Sequence, residues 1–165
     1  MRIRKLALCA LLTAIALTIF VVEAQFPLPV PVPGLKLGLS NIVTLFALAA
    51  FGWREALAIV LVRIFLGNLI TGQMMSLFYS LAGGLLSFAC MALSLRILKQ
   101  DQLWIAGVLG GITHNLGQMA VAVAVTQTPA LLVYLPVLLL CGIVTGTLTG
   151  LFAQLLYQKL RRFFP

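Results

Sequence analysis

Residues 6–22, with the sequence LALCALLTAIALTIFVV, contain no charged side chain and directly follow the basic segment 2–5. A helix that crosses a hydrocarbon core about 30 Å thick needs about 20 mainly apolar residues. The whole chain has the same character, because 62% of its 165 residues are hydrophobic and only 8% are charged. Soluble domains usually contain about 25% charged residues. The sequence therefore predicts an integral membrane protein with one domain.

Turn signals divide the chain into six predicted membrane-spanning helices. The proline-rich segment 26–33 cannot continue a helix, because proline lacks the backbone N–H donor, and we expect it to form an extended outer loop. Glycine or polar residues separate the later segments. The predicted fold is an all-α, six-transmembrane-helix bundle formed by residues 1–165. Its helices are expected at about residues 5–24, 35–51, 55–70, 75–98, 103–125 and 130–160.

The basic residues indicate the orientation of this bundle. Six alternating helices bring the N-terminus, the turn at 52–54, the loop at 99–102 and the C-terminus to one side. That side contains nine of the eleven lysine and arginine residues, and short basic loops face the cytoplasm. We therefore expect a multi-pass protein of the bacterial cell membrane with both termini in the cytoplasm. The net charge of +8 then reflects topology, and no basic stripe with exposed aromatics predicts nucleic-acid binding.

The first predicted helix also resembles a secretory signal peptide. Its basic start, its apolar run and the sequence Val22-Glu23-Ala24 before Gln25 are compatible with cleavage, which would leave five helices. The bulky and acidic residues before this position favour a retained helix. They suit a span better than a cleavage site, which uses small residues.

Small residues recur at four-residue spacing, which allows helix backbones to approach closely in a membrane. We interpret most of these pairs as contacts within the bundle, although Ala10 and Ala14 could instead contact a partner helix. The pairs are Ala10 with Ala14, Gly107 with Gly111, Gly142 with Gly146, and Gly146 with Gly150.

Polar residues at membrane depth define a candidate binding site. A basic residue at a helix centre costs about 2.5–3.5 kcal/mol on insertion scales, so it normally faces a partner or a cavity. Arg63 lies midway along the third predicted helix, and His114 and Gln118 are four residues apart on one face of the fifth. The predicted topology places all the candidates near the middle or in the outer half. The candidates are Lys36, Asn41, Arg63, Asn68, His114, Asn115 and Gln118.

The strongest members of this set are cations or hydrogen-bond donors, so a carboxylate, phosphate or diphosphate group would match them. The alternative is an internal ion pair of Glu23 with Arg63 or Lys36, together with hydrogen bonds between helices. The nucleotide-binding, zinc-protease and serine-hydrolase motifs are missing. The three acidic residues are far apart in sequence and do not predict a metal–diphosphate site. We therefore expect no enzyme activity, metal site or cofactor in this chain.

Several segments together resemble the Gx transporter family, whose members are often called heptaprenyl diphosphate synthase component I. The resemblance covers nearly the whole chain, and KLGL-x-N and HN-x-GQ are its most specific parts. The family is similar to the substrate-binding S components of energy-coupling-factor (ECF) vitamin transporters. The segments are residues 33–45 (PGLKLGLSNIVTL), 54–56 (REA), Arg63 followed by Leu66 and Gly67, 79–84 (YSLAGG), 114–118 (HNLGQ) and 134–137 (YLPV).

The resemblance implies a six-helix protein that captures a ligand from outside, while a transmembrane coupling protein and a pair of ATPases drive its release inward. ATP would then be hydrolysed by partner subunits. S components dock through an Ala-x-x-x-Ala face on the first helix, which Ala10 and Ala14 match and Ala7 extends. The expected ligand is a small anionic or amphipathic molecule related to a vitamin, flavin, quinone or isoprenoid.

Two other functions remain open. One is a membrane subunit associated with a prenyl-diphosphate (heptaprenyl diphosphate) synthase, which the older family label suggests. The other is a self-sufficient channel or secondary carrier, and the lack of buried acids for cation coupling argues against it.

Overall fold

The computed structural model describes residues 2–26 and 35–163, and within these ranges it contains helices, turns and loops but no strand. Short 3-10 helices precede α5 and α6 and follow α6. The six α-helices are α1 (Arg2–Glu23), α2 (Asn41–Phe51), α3 (Trp53–Thr71), α4 (Met74–Ser94), α5 (Leu103–Thr126) and α6 (Leu135–Leu160).

Four helical segments are long and apolar enough to cross a membrane, which makes this a multi-pass helical membrane protein. They are Ile3–Glu23, Met74–Ser94, Leu103–Thr126 and Pro129–Leu160. The remaining two helices differ from them in charge or in length. α3 has 19 residues but includes Arg54, Glu55 and Arg63. α2 has only 11 residues, so it is about 16 Å long at 1.5 Å per residue. That all six helices cross the membrane is still a prediction.

The predicted second helix was wrong over residues 35–40, where the chain is extended and then turns. Gly38 has a φ of 80°, in the left-handed region that interrupts a helix. The Glu23 carboxylate binds the backbone N–H groups of Gly38 and Leu39, which therefore do not enter a helical hydrogen-bond ladder. Most of the predicted loop 26–33 lies outside the described residues.

Two other boundaries also differ from the prediction. α4 ends at Ser94, and residues 95–97 form a turn in place of the predicted last helical turn. The segment that leads into α6 is a 3-10 helix, Pro129–Tyr134, and the α-helix begins only at Leu135. Pro136 lies in the first turn of α6, where its missing N–H would have no helical partner.

The basic ends of the helices lie together. Lys5 Nζ is 2.5 Å from Glu55 Oε1, which joins the start of α1 to the start of α3. Trp53 and Arg96 line one surface pocket, so the end of α4 lies near the α2–α3 turn. The backbone N–H of Trp104 donates to Gln154 Oε1 at 3.3 Å, linking α5 to α6. This arrangement agrees with the predicted clustering of charges, and the cytoplasmic orientation stays a prediction.

Glycines allow α5 and α6 to pack backbone to backbone. A Cβ atom at Gly146 would lie 2.6 Å from the carbonyl oxygen of Gly107, and one at Gly111 would clash with the carbonyl oxygen of Gly142. Real Cβ atoms do not approach other atoms this closely. The interpretation of these four-residue glycine pairs as internal packing is therefore confirmed.

We expect Gly146→Leu to destabilise the bundle. The added side chain has no room between α5 and α6, and overpacking of this kind costs about 1–3 kcal/mol or more. The free energy of unfolding in mixed SDS and nonionic-detergent micelles measures the effect. Val144→Leu, which adds bulk on the exposed side of the same helix, is the control. Equal stabilities of the two variants would contradict the close α5–α6 contact.

Candidate functional site

A buried polar cluster lies where residues 35–40 pack between the helices. Leu35, Lys36, Gly38 and Ser40 are all buried, so this non-helical segment runs inside the protein. The cluster encloses a cavity of about 10 Å³, which is close to the smallest volume that holds one water molecule. The cavity is lined by Phe20, Glu23, Lys36, Gly38, Ser40, Arg63, Ile64, Ser80 and His114.

Lys36 is 4% exposed, and its ammonium nitrogen lies 3.2 Å from the centroid of the Phe20 ring. A cation over the face of an aromatic ring is attracted by the ring quadrupole. Nζ has no hydrogen-bond partner among the described residues. The backbone of Lys36 is held by Gln118, which accepts from its N–H at 2.9 Å and donates to its carbonyl oxygen at 3.0 Å. The Gln118 amide therefore fixes the place where Lys36 enters the site.

Arg63 is 2% exposed and lies on α3 against the start of α2. Its Nη2 donates to Asn41 Oδ1 at 3.1 Å, and Asn41 Nδ2 donates to Ser87 Oγ at 3.2 Å. Within the described ranges, Nε and Nη1 have no partner. A buried guanidinium with two unpartnered nitrogen atoms is costly unless another group binds it.

Glu23 is the acidic residue of the cluster, and it is 4% exposed. The expectation from the sequence that the protein lacks a buried acid was therefore wrong. The two carboxylate oxygens of Glu23 accept hydrogen bonds from the backbone N–H groups of Gly38 at 2.5 Å and Leu39 at 3.2 Å. Lys5–Glu55 is the one salt bridge within 4.0 Å among residues 2–26 and 35–163. The predicted alternative of a direct ion pair between Glu23 and Arg63 or Lys36 is therefore not what the structure contains.

The cluster has more positive than negative charge. Lys36 and Arg63 carry two positive charges and Glu23 carries one negative charge. The other acids of the chain are Glu55, which pairs with Lys5, and Asp101, which lies before the start of α5 at the basic end. Residues 1, 27–34, 164 and 165, which the structure does not describe, include no acid. One positive charge in the cluster is therefore unmatched within this chain.

Five of the seven predicted binding residues lie together. Lys36 contacts Gln118, Arg63 contacts Asn41, and the side-chain nitrogens of Gln118 and His114 are in contact. These contacts agree with the predicted shared face of His114 and Gln118. The five residues belong to four different segments of the chain, so the fold assembles the site from distant parts of the sequence.

Asn68 and Asn115 are buried at other positions. Asn115 Nδ2 donates to the carbonyl oxygen of Leu138 at 2.6 Å, which joins α5 to α6. Asn68 Nδ2 donates to the carbonyl oxygen of Ile64 at 2.8 Å, within α3. Neither residue lines the cavity.

Some cavity residues were not candidates in the sequence. Ser80, which lines the cavity, and Ser87, which binds Asn41, are seven residues apart on one face of α4. Two polar residues on the same face of an apolar helix indicate that this face is turned toward a polar site. Phe20 carries no such signal, because it is one apolar residue within a long apolar run.

The predicted docking residues Ala7, Ala10 and Ala14 all lie on the exposed side of α1. α1 packs mainly against α3 and α2. In its apolar 18-residue stretch, 17% of the residues are buried, compared with 28–44% in the other three candidate spans. This small-residue face is therefore open to the surroundings, and docking of a partner on it stays a prediction.

An apolar groove of about 290 Å³ lies beside the polar cluster. Its inner end includes Ile19, Ile42 and Val43, which are neighbours in sequence of Phe20 and Asn41. Leu8, Phe51 and Leu160 line it near the basic end of the bundle. The groove therefore runs between α1, α2 and α6 from the site toward that end.

These features define a helical multi-pass membrane protein with a buried, predominantly cationic site. A family model described as heptaprenyl diphosphate synthase component I matches residues 12–156, and the chain belongs to that family. No curated protein and no solved structure matches the chain. The family label predicted from the sequence is confirmed, and the likeness to ECF S components stays a prediction.

We expect Gln118→Ala to lower the free energy of unfolding more than the substitution of an exposed glutamine does. Gln118→Ala leaves the buried N–H and carbonyl oxygen of Lys36 without their partners, at a cost of about 1–3 kcal/mol for each group. Chemical denaturation in detergent measures the loss, with Gln73→Ala, at an exposed position, as the control. If the two variants were equally stable, the anchoring role of Gln118 would be wrong.

Proposed function

We propose that this chain is the substrate-binding subunit of an ATP-driven importer of the ECF type, which captures a small anionic or amphipathic ligand from outside the cell. The observation that carries the proposal is the pair of buried cations, Lys36 and Arg63, with a single carboxylate nearby. Three of their donor atoms have no partner in the described part of the chain. An anionic group of a ligand would bind these donors and balance the unmatched charge.

The shape of the backbone supports the same proposal. Irregular backbone at membrane depth is tolerated where it is buried in protein or lines a cavity. Residues 35–40 do both, and they lead into the short helix α2 at Asn41. Broken helices of this kind bind substrates near the membrane midplane in other transporters. Charged residues within membrane segments are also commonly functional.

We interpret the described arrangement as a closed form. The cavity has room for about one water molecule, so a larger ligand requires residues 35–40 to move outward. Their polar attachments to other segments are the hydrogen bonds to Glu23, Gln118 and Thr145. Movement of this segment would break these bonds and open the cavity to a ligand.

The energy for transport would come from other polypeptides. The sequence contains no nucleotide-binding motif, so the proposal requires a transmembrane coupling protein and a pair of ATPases. The exposed face of Ala7, Ala10 and Ala14 is the surface we propose for the coupling protein, since small residues allow close helix contact. The chain itself would carry out no catalytic step.

A second candidate function is a membrane subunit that works with a prenyl-diphosphate synthase. The family description and the apolar groove favour it. A hydrocarbon chain would lie in the groove, and its diphosphate would reach Lys36 and Arg63. A soluble partner would then supply the catalytic residues.

Native mass spectrometry of the protein released from mild detergent tests the proposed function. We expect one small anionic molecule bound to the wild type and to Arg96→Ala, an exposed control, but lost from Arg63→Ala. Arg63→Lys should retain part of the bound population, because it keeps the charge but not the fork of donors.

The identity of the bound molecule separates the two candidate functions. A vitamin-like molecule would support the importer, whereas an allylic diphosphate would support the synthase subunit. An empty wild type would contradict both.

Bulky residues on the α1 face should separate transport from binding. We expect Ala10→Leu combined with Ala14→Leu to abolish uptake while ligand binding is retained, because the change lies on an exposed face away from the cavity. Cellular uptake and copurification of the ATPases measure the effect. Ala124→Leu, on the exposed side of α5, is the matched control. Loss of binding, or undiminished uptake, would contradict the proposed docking surface.

A further inference from the structure

Glu23 lines the same cavity as Lys36 and Arg63. On the basis of the proposed function, we infer that Glu23 sets the charge specificity of the site. With Glu23 in place, the site binds a group with a single negative charge, such as a carboxylate, in preference to a doubly charged phosphate or a diphosphate.

The charge of the cluster favours a ligand with one negative charge. Lys36 and Arg63 contribute two positive charges, Glu23 contributes one negative charge, and His114 is counted as neutral. A ligand with one negative charge therefore neutralises the cluster. A second negative charge would lie beside the Glu23 carboxylate inside the protein, where like charges repel strongly.

Glu23 has a fixed position in the site. Each of its carboxylate oxygens accepts a hydrogen bond from a buried segment, through the N–H groups of Gly38 and Leu39. A carboxylate that accepts such bonds is held in place. Glu23 is therefore part of the site beside the two cations, and an incoming anion does not simply replace it.

The free donors show that the site needs an anionic group. Lys36 Nζ and the Nε and Nη1 atoms of Arg63 lack partners among the described residues. These nitrogens carry enough N–H groups for the oxygens of a carboxylate or of a phosphate. The donors therefore call for an acceptor with negative charge, and the charge balance with Glu23 decides between the two classes of ligand.

Two probes with the same hydrocarbon tail test the inference: octanoate, with one negative charge, and octyl phosphate, with close to two at pH 8. Their affinities are measured by ligand-induced thermal stabilisation in phosphatidylcholine nanodiscs. We expect the wild type to favour octanoate by about tenfold or more, since juxtaposed like charges are strongly unfavourable. Glu23→Gln should shift the ratio of affinities toward octyl phosphate by about tenfold. Glu55→Gln, which removes an acid at the opposite end, should leave the ratio unchanged.

A pH series on the wild type tests the inference without any substitution. Octyl phosphate loses its second charge near pH 6, so its affinity relative to octanoate should rise as the pH falls from 8 to 5.5. Glu23, Lys36, Arg63 and His114 face the site and affect both probes, and the ratio of affinities removes only the part of their contribution that both probes share. A change in the ratio whose midpoint follows the second ionisation of octyl phosphate is assigned to the ligand. This series tests the preference for a single negative charge even if Glu23→Gln does not fold.

The inference is overturned if the wild type favours octyl phosphate at pH 8, if the ratio is independent of pH, or if a folded Glu23→Gln keeps the wild-type ratio. Absence of octanoate binding to the wild type also overturns it. The native mass spectrum then shows separately whether the proposed function survives, because a bound ligand that depends on Arg63 would still support capture.

Discussion

The hydrogen bonds from the Gly38 and Leu39 backbone to the Glu23 carboxylate determine how the first third of the protein is arranged. They connect the end of α1 to the segment before α2. With these N–H groups bound and Gly38 in the left-handed region, the helix cannot begin before Asn41. The same bonds bring Lys36 under the Phe20 ring and place the start of α2 beside Arg63. The polar site therefore depends on one buried carboxylate that binds backbone rather than a cation.

The other half of the site is supplied by a close-packed group of helices. Glycines bring the backbones of α5 and α6 into contact, and Gly83 and Gly117 do the same between α4 and α5. This packing holds His114 and Gln118 at fixed positions facing the 35–40 segment. α1, by contrast, is the least buried of the candidate spans. The protein thus combines a tightly packed α4–α6 unit with a peripheral first helix, whose exposed face is free to contact a partner as we propose.

Much of this arrangement follows from local sequence patterns. Long apolar runs predicted five of the six helices with boundaries within about five residues, and the four-residue spacing of His114 and Gln118 predicted that they share one helix face. The start of α2 was not predictable in this way, because residues 35–51 are mainly apolar and the hydrogen bonds that prevent an earlier start come from Glu23, which is distant in sequence. Asn115 and Asn68 resemble the site residues in sequence, but their partners are backbone carbonyls of α6 and α3. Only the fold distinguishes a site residue from a residue that joins helices.

The proposed function requires a group from outside this chain to balance the unmatched positive charge of Lys36 and Arg63. An experimental structure of the protein, extracted in mild detergent together with its bound small molecules, tests this most directly. We predict non-protein density within hydrogen-bond distance of Lys36 Nζ and of Arg63 Nε or Nη1, with Glu23 not paired with either cation. A structure without such density, in which Glu23 pairs directly with both cations, would contradict this prediction.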